Sequence, residues 1–171
     1  MSAIAANSPF FGKGHENSIA IYAAQGTGGG TMFKLIQPVL WDFEPMTALM
    51  VQYSQPLKIF RLPARQSLHF VQNLSYESDR GLSFFAAGIS WDVALLNWNG
   101  FYFGTGLGPY MRDSRDRRVE SRLVFGEKVF IGKNINDRWR AEIFTLHFSN
   151  GNFTSVNDGF NYAGLAISCS F

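Results

Sequence analysis

The last residues of the chain, GFNYAGLAISCSF from Gly159 to Phe171, alternate between two kinds of side chain. The odd positions from Ala163 onward are mostly apolar and end on the aromatic Phe171. The even positions from Gly164 to Ser170 are small or polar. Because successive side chains of a strand point to opposite faces, this pattern predicts a β-strand with one apolar and one small, polar face.

The preceding segment repeats the alternation with charged residues. Its even positions include Arg138, Arg140 and Glu142, whereas Trp139 and Ile143 lie on the odd face. A strand that carries charges on one face and apolar groups on the other is typical of a membrane β-barrel with a polar interior and a lipid-facing wall. We therefore predict that even positions of this strand point inward.

Glycines indicate how wide the barrel is. Between Asn99 and Tyr110 the even positions carry four glycines, and the odd positions include Phe101 and Phe103. Small residues inside and phenylalanines outside favour a narrow barrel of eight strands.

Eight segments with strand-like patterning can be delimited, an even number, as single-chain bacterial barrels have. About ten residues at about 3.3 Å each, tilted by about 40°, span roughly 25 Å, the height of the apolar band of such barrels. The predicted strands are Ser18–Gln25, Met46–Gln55, Gln66–Tyr76, Gly81–Val93, Asn99–Tyr110, Val119–Ile131, Arg138–Ser149 and Gly159–Phe171.

Composition agrees with an all-β membrane protein of one domain, residues 1–171. Hydrophobic residues make up 46% and charged residues 16%, well below the quarter that is usual in soluble domains. No run of about 18 apolar residues is present, which excludes a transmembrane helix. The net charge of +2 argues against a nucleic-acid partner. Cys169 is the one cysteine, so no internal disulfide can form.

Three connecting regions carry further expectations. The start, MSAIAANSPFF, lacks a basic and a long apolar region, so we do not expect an intact signal peptide, although Ala3-Ile4-Ala5 resembles the end of a cleavage site. Residues 31–43 are predicted to be a long first loop because Pro38 disfavours a central strand. Residues 112–118 (RDSRDRR) are predicted to be an exposed tip, either merely solvated or in contact with lipid phosphates. In the predicted strand Val119–Ile131, which contains Arg122, Glu127 and Lys128, we cannot assign the two faces to the inside and the outside of the barrel.

A soluble lipocalin-like barrel is the structural rival, but it would place apolar side chains inside and charges outside. Here the charges share a face with glycines, which favours the bacterial outer membrane. The N-terminus is then expected in the periplasm, and residues 150–158 in an extracellular loop.

The sequence around His147 and Ser149 suggests chemistry. These residues are two apart on one predicted strand, so both side chains share a face, as a base and a nucleophile require. By the alternation above, that face of the strand contacts lipid or lies at the lipid boundary. Neither a histidine nor a serine contributes to packing in such a place. The alternative is that both simply lie in the polar zone at the strand tip.

The motifs HFSNG, from His147 to Gly151, and NDG, from Asn157 to Gly159, resemble the C-terminal part of the PagL family of lipid A 3-O-deacylases. The resemblance implies an outer-membrane barrel in which Ser149 is the nucleophile and His147 the base. It also implies that Asn150 and Asn157 support the oxyanion. A family acid is replaced here by Asn161, and a family glycine by Asn152.

The replacement of the acid leaves two candidates to orient His147. Asn161 can accept the imidazole N–H if the two final strands pair so that it faces His147. Asp158 is the nearest carboxylate in sequence, although a turn explains it equally well. Glu142 is excluded because its parity points it inward.

The function implied is hydrolysis of the ester-linked acyl chain at position 3 of lipid A by serine esterase chemistry, with no cofactor and no metal. The expected partners are lipopolysaccharide and membrane lipids, and a homodimer is compatible with the sequence. The alternative is a weak or inactive barrel that binds lipid A or has a structural or adhesive role. A soluble lipid carrier is a third alternative.

Overall fold

In the computed structural model, which describes residues 8–76 and 81–171, eight antiparallel strands close into one barrel in chain order. The prediction of an all-β, eight-stranded antiparallel barrel is confirmed. The stretch Ala3-Ile4-Ala5 lies outside the described residues. The strands are β1 (Ser18–Gly26), β2 (Met46–Ile59), β3 (Leu62–Ser75), β4 (Phe84–Trp98), β5 (Phe101–Arg112), β6 (Leu123–Asn134), β7 (Trp139–Ser149) and β8 (Phe160–Ser170).

The two ends of the barrel differ in their connections. At one end β2 and β3 are joined by Phe60 and Arg61, and β4 and β5 by Asn99 and Gly100, all four with positive φ. Two residues with positive φ form the tight turn that matches the twist of a hairpin. The other end carries the longer loops, including the first loop (residues 27–45), the third loop (residues 113–122) and the fourth loop (residues 150–159). Short periplasmic turns and long extracellular loops are usual in outer-membrane barrels, so these loops face outward from the cell.

Six of the eight predicted strand starts differ from the structure by one to four residues, and two of these differences change the assignment of a side chain. β6 begins at Leu123, not at Val119, because Val119 is buried in the third loop and bridges to Asn157. β7 begins at Trp139, and Arg138 is exposed in the turn before it. Arg138 is therefore not one of the inward charges.

The outer wall is apolar, as the parity of β7 and β8 predicted. Among the described residues no helix is long and apolar enough to cross a membrane. Large hydrophobic side chains that are exposed on the strands include Ile19, Ile21, Leu49, Val51, Leu68, Phe70, Ile89, Trp91, Phe101, Leu107, Ile131, Ile143, Leu165 and Ile167. Such a belt is stable only against lipid, because it far exceeds the apolar patch of a soluble monomer.

Charged side chains are paired inside the barrel. Arg65 on β3 donates to Asp92 on β4 at 2.7 Å and to Glu142 on β7 at 3.0 Å. Lys128 on β6 donates to the same Asp92 at 2.6 Å, and Tyr102 donates to Glu142 at 2.9 Å. The network ties five strands together, and the pairing compensates for the burial of the charges.

The sequence analysis predicted small residues inside the barrel and phenylalanines outside. The structure corrects this prediction, because large aromatic side chains also fill the interior. The inward glycines make room for large aromatic rings from neighbouring strands. A Cβ at Gly132 would lie 2.1 Å from the Tyr102 ring, and one at Gly126 would lie 2.6 Å from the Tyr110 ring. The small residues and the aromatic rings thus interlock to fill a narrow barrel.

Both mouths of the barrel are closed. At the periplasmic end Phe10 is fully buried under the Arg65 guanidinium, and Arg140 donates to the Pro9 carbonyl at 3.1 Å. At the extracellular end the guanidinium of Arg112 lies 4.2 Å from the Phe84 ring centre. The barrel is therefore a packed cylinder rather than a pore, and any chemistry with a large lipid must take place on its surface.

Candidate active site on the outer wall

His147 and Ser149 lie at the extracellular end of β7, on the outward face that Ile143 also occupies. This placement agrees with their parity. They are nevertheless buried, with exposed fractions of 5% for His147 and 8% for Ser149. The sequence analysis placed this face at lipid or its boundary and did not foresee that other parts of the chain cover the two side chains.

Asn161 on β8 is the partner of His147. The two residues are directly opposite in the β7–β8 register, as the sequence analysis required for an orienting role. His147 Nδ1 and Asn161 Oδ1 are 2.6 Å apart. Because an amide oxygen only accepts hydrogen bonds, the proton is on Nδ1 and the Nε2 lone pair is free.

The orientation of the Asn161 amide is set by the first loop. Asn161 Nδ2 donates to the Gly29 carbonyl at 3.3 Å, and Lys34 Nζ donates to the same oxygen at 3.0 Å. A carbonyl cannot donate, so the amide nitrogen must face Gly29 and the amide oxygen must face His147. The first loop thereby fixes the tautomer of the His147 imidazole through two successive hydrogen bonds, the first between Gly29 and Asn161 and the second between Asn161 and His147.

The first loop folds back over the wall and buries the site. Its backbone continues the pairing with β8, because Thr27 N donates to the Asn161 carbonyl at 2.8 Å and Asn161 N donates to the Gly28 carbonyl at 3.0 Å. The following 3-10 helix, Met32–Ile36, packs against β6, β7 and β8. The prediction that residues 31–43 form a loop is confirmed, whereas the packing of that loop across the outer wall was not foreseen.

Close approach of backbone to the imidazole requires glycine at position 159. Gly159 has a φ of +66°, and a Cβ there would lie 2.5 Å from His147 Cε1. Any other residue would be strained and would displace the ring. The turn glycine of the NDG motif is thus also a wall of the site.

An apolar groove of about 250 Å³ runs along the outer wall directly below the site. The first loop forms one side of it through Ile36, Pro38 and Trp41, and the floor includes Ile143 and Thr145 of β7. Thr145 precedes His147 on the same face, so the groove leads from the apolar belt towards the imidazole.

Among the described residues the His147 ring forms a hydrogen bond only with Asn161. Ser149 is opposite Phe125 on β6, and its side chain shares the outward face with His147. Two residues of a strand span about 6.6 Å between their Cα atoms, within which the two side chains can approach each other by rotation.

Asn150 and Asn157 shape the fourth loop. Asn150 Nδ2 donates to the hydroxyl of Thr154 and to the Val156 carbonyl at 3.1 Å, and Asn157 Oδ1 accepts the Asn150 backbone N–H at 2.9 Å. Asn157 Nδ2 in turn donates to Asn152 Oδ1 at 2.9 Å. The role of Asn150 and Asn157 as oxyanion donors stays a prediction, and the structure gives both a part in holding the loop beside Ser149.

Asp158 points away from His147. Its side chain is exposed and lines a small polar pocket with Arg117 and Arg118. Its backbone carbonyl accepts the Gly30 N–H, which anchors the first loop to the fourth. The structure therefore brings Asn161, and not Asp158, to the imidazole.

The arginine-rich segment is only partly the exposed tip that its sequence suggests. Arg112 is buried and pairs with Asp116 across the mouth, and Arg118 forms two hydrogen bonds with Glu44. The hydrogen bonds to Glu44 raise the pKa of Arg118 above its ordinary value. Asp113 and the remaining arginines of the segment, Arg115 and Arg117, are exposed.

One residue of the site was missed at the sequence level. Glu127 of β6 is directly opposite His147, on the side away from Asn161. Its parity on β6 matches that of the exposed Ile131, so it is on the outer wall. Pairing β6 with β7 in register would have found it, but charged residues at both odd and even positions left the faces of this strand unassigned in the sequence analysis.

No group of three or more metal-binding side chains occurs in residues 8–76 and 81–171. The groups available for chemistry at the site are thus a serine hydroxyl, an oriented imidazole, an amide, a carboxylate and backbone N–H donors.

Comparison with known proteins shows the family of the chain. The family model described as lipid A 3-O-deacylase (PagL) matches residues 47–170, which include the strands that carry His147, Ser149 and Asn161. The chain belongs to the PagL family. With its apolar outer wall it is an integral β-barrel of the bacterial outer membrane.

Solved structures reproduce the PagL-family fold at low sequence identity. Neisserial surface protein A (NspA) has a TM-score of 0.63 and 9% identity, and the match covers 91% of this chain and 97% of NspA. The outer membrane enzyme PagL has a TM-score of 0.54 and 13% identity, with 87% of this chain and 97% of PagL covered. No curated protein sequence matches significantly. At these identities the two structures establish the barrel fold alone.

Proposed function

We propose that this PagL-family protein is a lipid A 3-O-deacylase that hydrolyses the ester at position 3 with Ser149 as nucleophile and His147 as general base. The observation that carries the proposal is the His147–Asn161 hydrogen bond of 2.6 Å on the outer wall, beside Ser149 and above an apolar groove. The ion pairs that hold the barrel together lie in its interior, so this cluster on the outer wall, beneath the first loop, is separate from them.

The reaction follows from the tautomer of His147. Nε2 takes the hydroxyl proton of Ser149 while Oγ adds to the ester carbonyl carbon, and the electron pair of the C=O bond moves to the oxygen. When the tetrahedral intermediate collapses, His147 delivers the proton to the sugar oxygen, which leaves as a hydroxyl. Water then repeats the addition on the acyl-enzyme, with His147 as base, and the free fatty acid departs.

Each surrounding element has a part in this scheme. The groove beside Ile143 and Thr145 would hold the acyl chain, so that its ester lies at the level of Ser149. Gly151 N–H has no acceptor among the described residues and belongs to the loop that follows the nucleophile. We assign it to stabilise the oxyanion. Asn150 and Asn157 are further candidates, but their side-chain amides would first have to give up the hydrogen bonds that they donate within the fourth loop.

Incubation of the refolded protein with lipopolysaccharide, followed by mass spectrometry of lipid A, tests the proposal. The expected product has lost the 3-hydroxyacyl chain from position 3 of the first glucosamine. Release of a secondary, acyloxyacyl-linked chain with position 3 intact would refute the assignment.

A second candidate function is a barrel that binds lipid A without cleaving it. The observation that favours it is Asn161, which cannot neutralise an imidazolium. The similarity to a surface protein, NspA, is compatible with it as well. In the same experiment this candidate predicts an unchanged lipid A mass and saturable binding.

A further inference from the structure

Glu127 is placed where a charge can act on His147. Directly opposed residues of an antiparallel pair have Cβ atoms about 4.5–5.5 Å apart, and Glu127 is opposed to His147 just as Asn161 is on the other flank. The imidazole therefore has one partner on each neighbouring strand.

The carboxylate of Glu127 takes no part in the ion pairs that hold the barrel together. Its Oε2 is shielded from solvent and has no hydrogen-bond partner, and no described residue forms an ion pair with it. The inward carboxylates Asp92 and Glu142 are, by contrast, paired with Arg65. A carboxylate left unpartnered on the lipid side is costly, and such residues mark functional sites.

We propose that Glu127 supplies the negative charge that stabilises the protonated form of His147, while Asn161 fixes the orientation of its ring. In a Ser-His-acid site one carboxylate performs both duties, holding the tautomer and compensating the imidazolium. Here the two duties are divided between β6 and β8. This inference rests on the proposed serine mechanism. Glu127 acts through His147, so it is a positioning residue.

The other charged groups around His147 make such a charge necessary. Lys34 of the first loop lies two hydrogen bonds away through Gly29 and Asn161, and its ammonium opposes a second positive charge. Asp158 of the fourth loop is exposed beside Arg117 and Arg118 and is unsuited to compensate it. Among the described residues Glu127 is thus the carboxylate available to the imidazolium.

The experiment measures how fast a fluorophosphonate labels Ser149, together with kcat and KM on lipid A in detergent. Labelling forms the Oγ–phosphorus bond, expels fluoride and passes the hydroxyl proton to His147, so it needs the same base whatever the natural substrate. The variant Glu127→Gln should lower both the labelling rate and kcat by roughly 10- to 100-fold. KM should stay within about threefold.

A second variant that restores the lost rate distinguishes the charge of Glu127 from the shape of its side chain. The double variant Glu127→Gln with Asn161→Glu returns a carboxylate to the other flank of the ring, and should regain most of the lost rate. Glu120→Gln removes an exposed carboxylate of the third loop and should leave both rates unchanged. Heat-modifiable gel mobility checks that every variant is folded.

The outcomes separate this inference from the proposed function. If Ser149 is labelled and Glu127→Gln keeps the full rate, or loses it through KM without rescue, the inference is wrong and the deacylase proposal stands. If Glu127→Gln slows labelling while lipid A is never cleaved, the inference holds and the substrate is wrong. If the wild-type chain is not labelled at Ser149, both are wrong.

Discussion

Two serine–histidine pairs can be compared among the described residues, His69 with Ser90 and His147 with Ser149, and they differ in location and in hydrogen bonding. Inside the barrel His69 Nε2 and Ser90 Oγ are 2.8 Å apart and hydrogen-bonded. On the outer wall His147 and Ser149 share a face, and the His147 ring is hydrogen-bonded to Asn161 instead. Judged by the hydrogen bond alone, the interior pair would be the better nucleophile and base.

Access of a lipid substrate favours the outer pair over the interior pair. The ring centres of Tyr22 and Tyr110 lie 6.5 Å and 5.6 Å from that of His69, and both mouths of the barrel are closed. No ester of lipid A can reach Ser90. The outer pair lies instead on the barrel wall, where the apolar groove reaches Thr145, two residues before His147 on the same face of β7. The comparison teaches that a close hydrogen bond inside the barrel identifies a packed pair, whereas an oriented imidazole next to a groove on the outer wall identifies a candidate site.

The largest expected effect comes from removing the outer pair. Ser149→Ala and His147→Ala should each reduce deacylation by at least about 1,000-fold, because nucleophile and base act as a unit. Release of 3-hydroxy fatty acid from lipopolysaccharide measures the loss, and gel mobility confirms folding. Full activity in Ser149→Ala would end the proposed mechanism.

The next largest effect should come from the interior charges, and on stability rather than on activity. Arg65→Met leaves Asp92 and Glu142 buried without their shared partner, which should cost about 3–5 kcal/mol of unfolding free energy. Urea titration of the refolded barrel measures the cost. The matched control is Arg61→Met in the exposed turn, which should change stability by less than about 0.5 kcal/mol. Equal effects would show that the network is not a structural element.

A smaller effect is expected at Asn161. Asn161→Ala removes one orienting hydrogen bond, worth about 1–3 kcal/mol, and should lower kcat roughly 10- to 100-fold. Asp158→Asn should stay within about threefold of wild type, because its carboxylate lies beside the arginines of the third loop. Comparison of the two variants on one lipid A substrate decides between the two candidate orienting residues. The reverse order of effects would favour Asp158.

The smallest effect is expected at the interior serine. Ser90→Ala breaks the hydrogen bond to His69 and should cost about 1 kcal/mol of stability, with deacylation within about twofold of wild type. The measurement pairs a urea titration with the lipid A assay. A large loss of activity in the folded variant would mean that the interior pair takes part in chemistry.

The sequence predicted the barrel well because its evidence is local. Alternation in β8 and in the β7 residues from Trp139 onward correctly assigned the inner and outer faces. Asn99 and Gly100, which the sequence analysis placed at the start of a strand, form the hairpin turn between β4 and β5 instead. The β7–β8 pairing that sets Asn161 against His147 also follows from two neighbouring strands and one loop length. The errors fall where the chain packs against distant segments, at Val119, at Arg112 and Arg118, and on the covered outer face.

The sequence by itself thus determined the strand pattern, the outward face of His147 and Ser149, and the resemblance that led to the family. Each of these depends on residues near one another along the chain. Only the tertiary structure decided that the first loop covers this face, that Gly29 orients Asn161, and that Glu127 lies opposite His147. These contacts join segments that are 20 to more than 100 residues apart. They depend on barrel closure and on the register of every strand, which no local pattern contains.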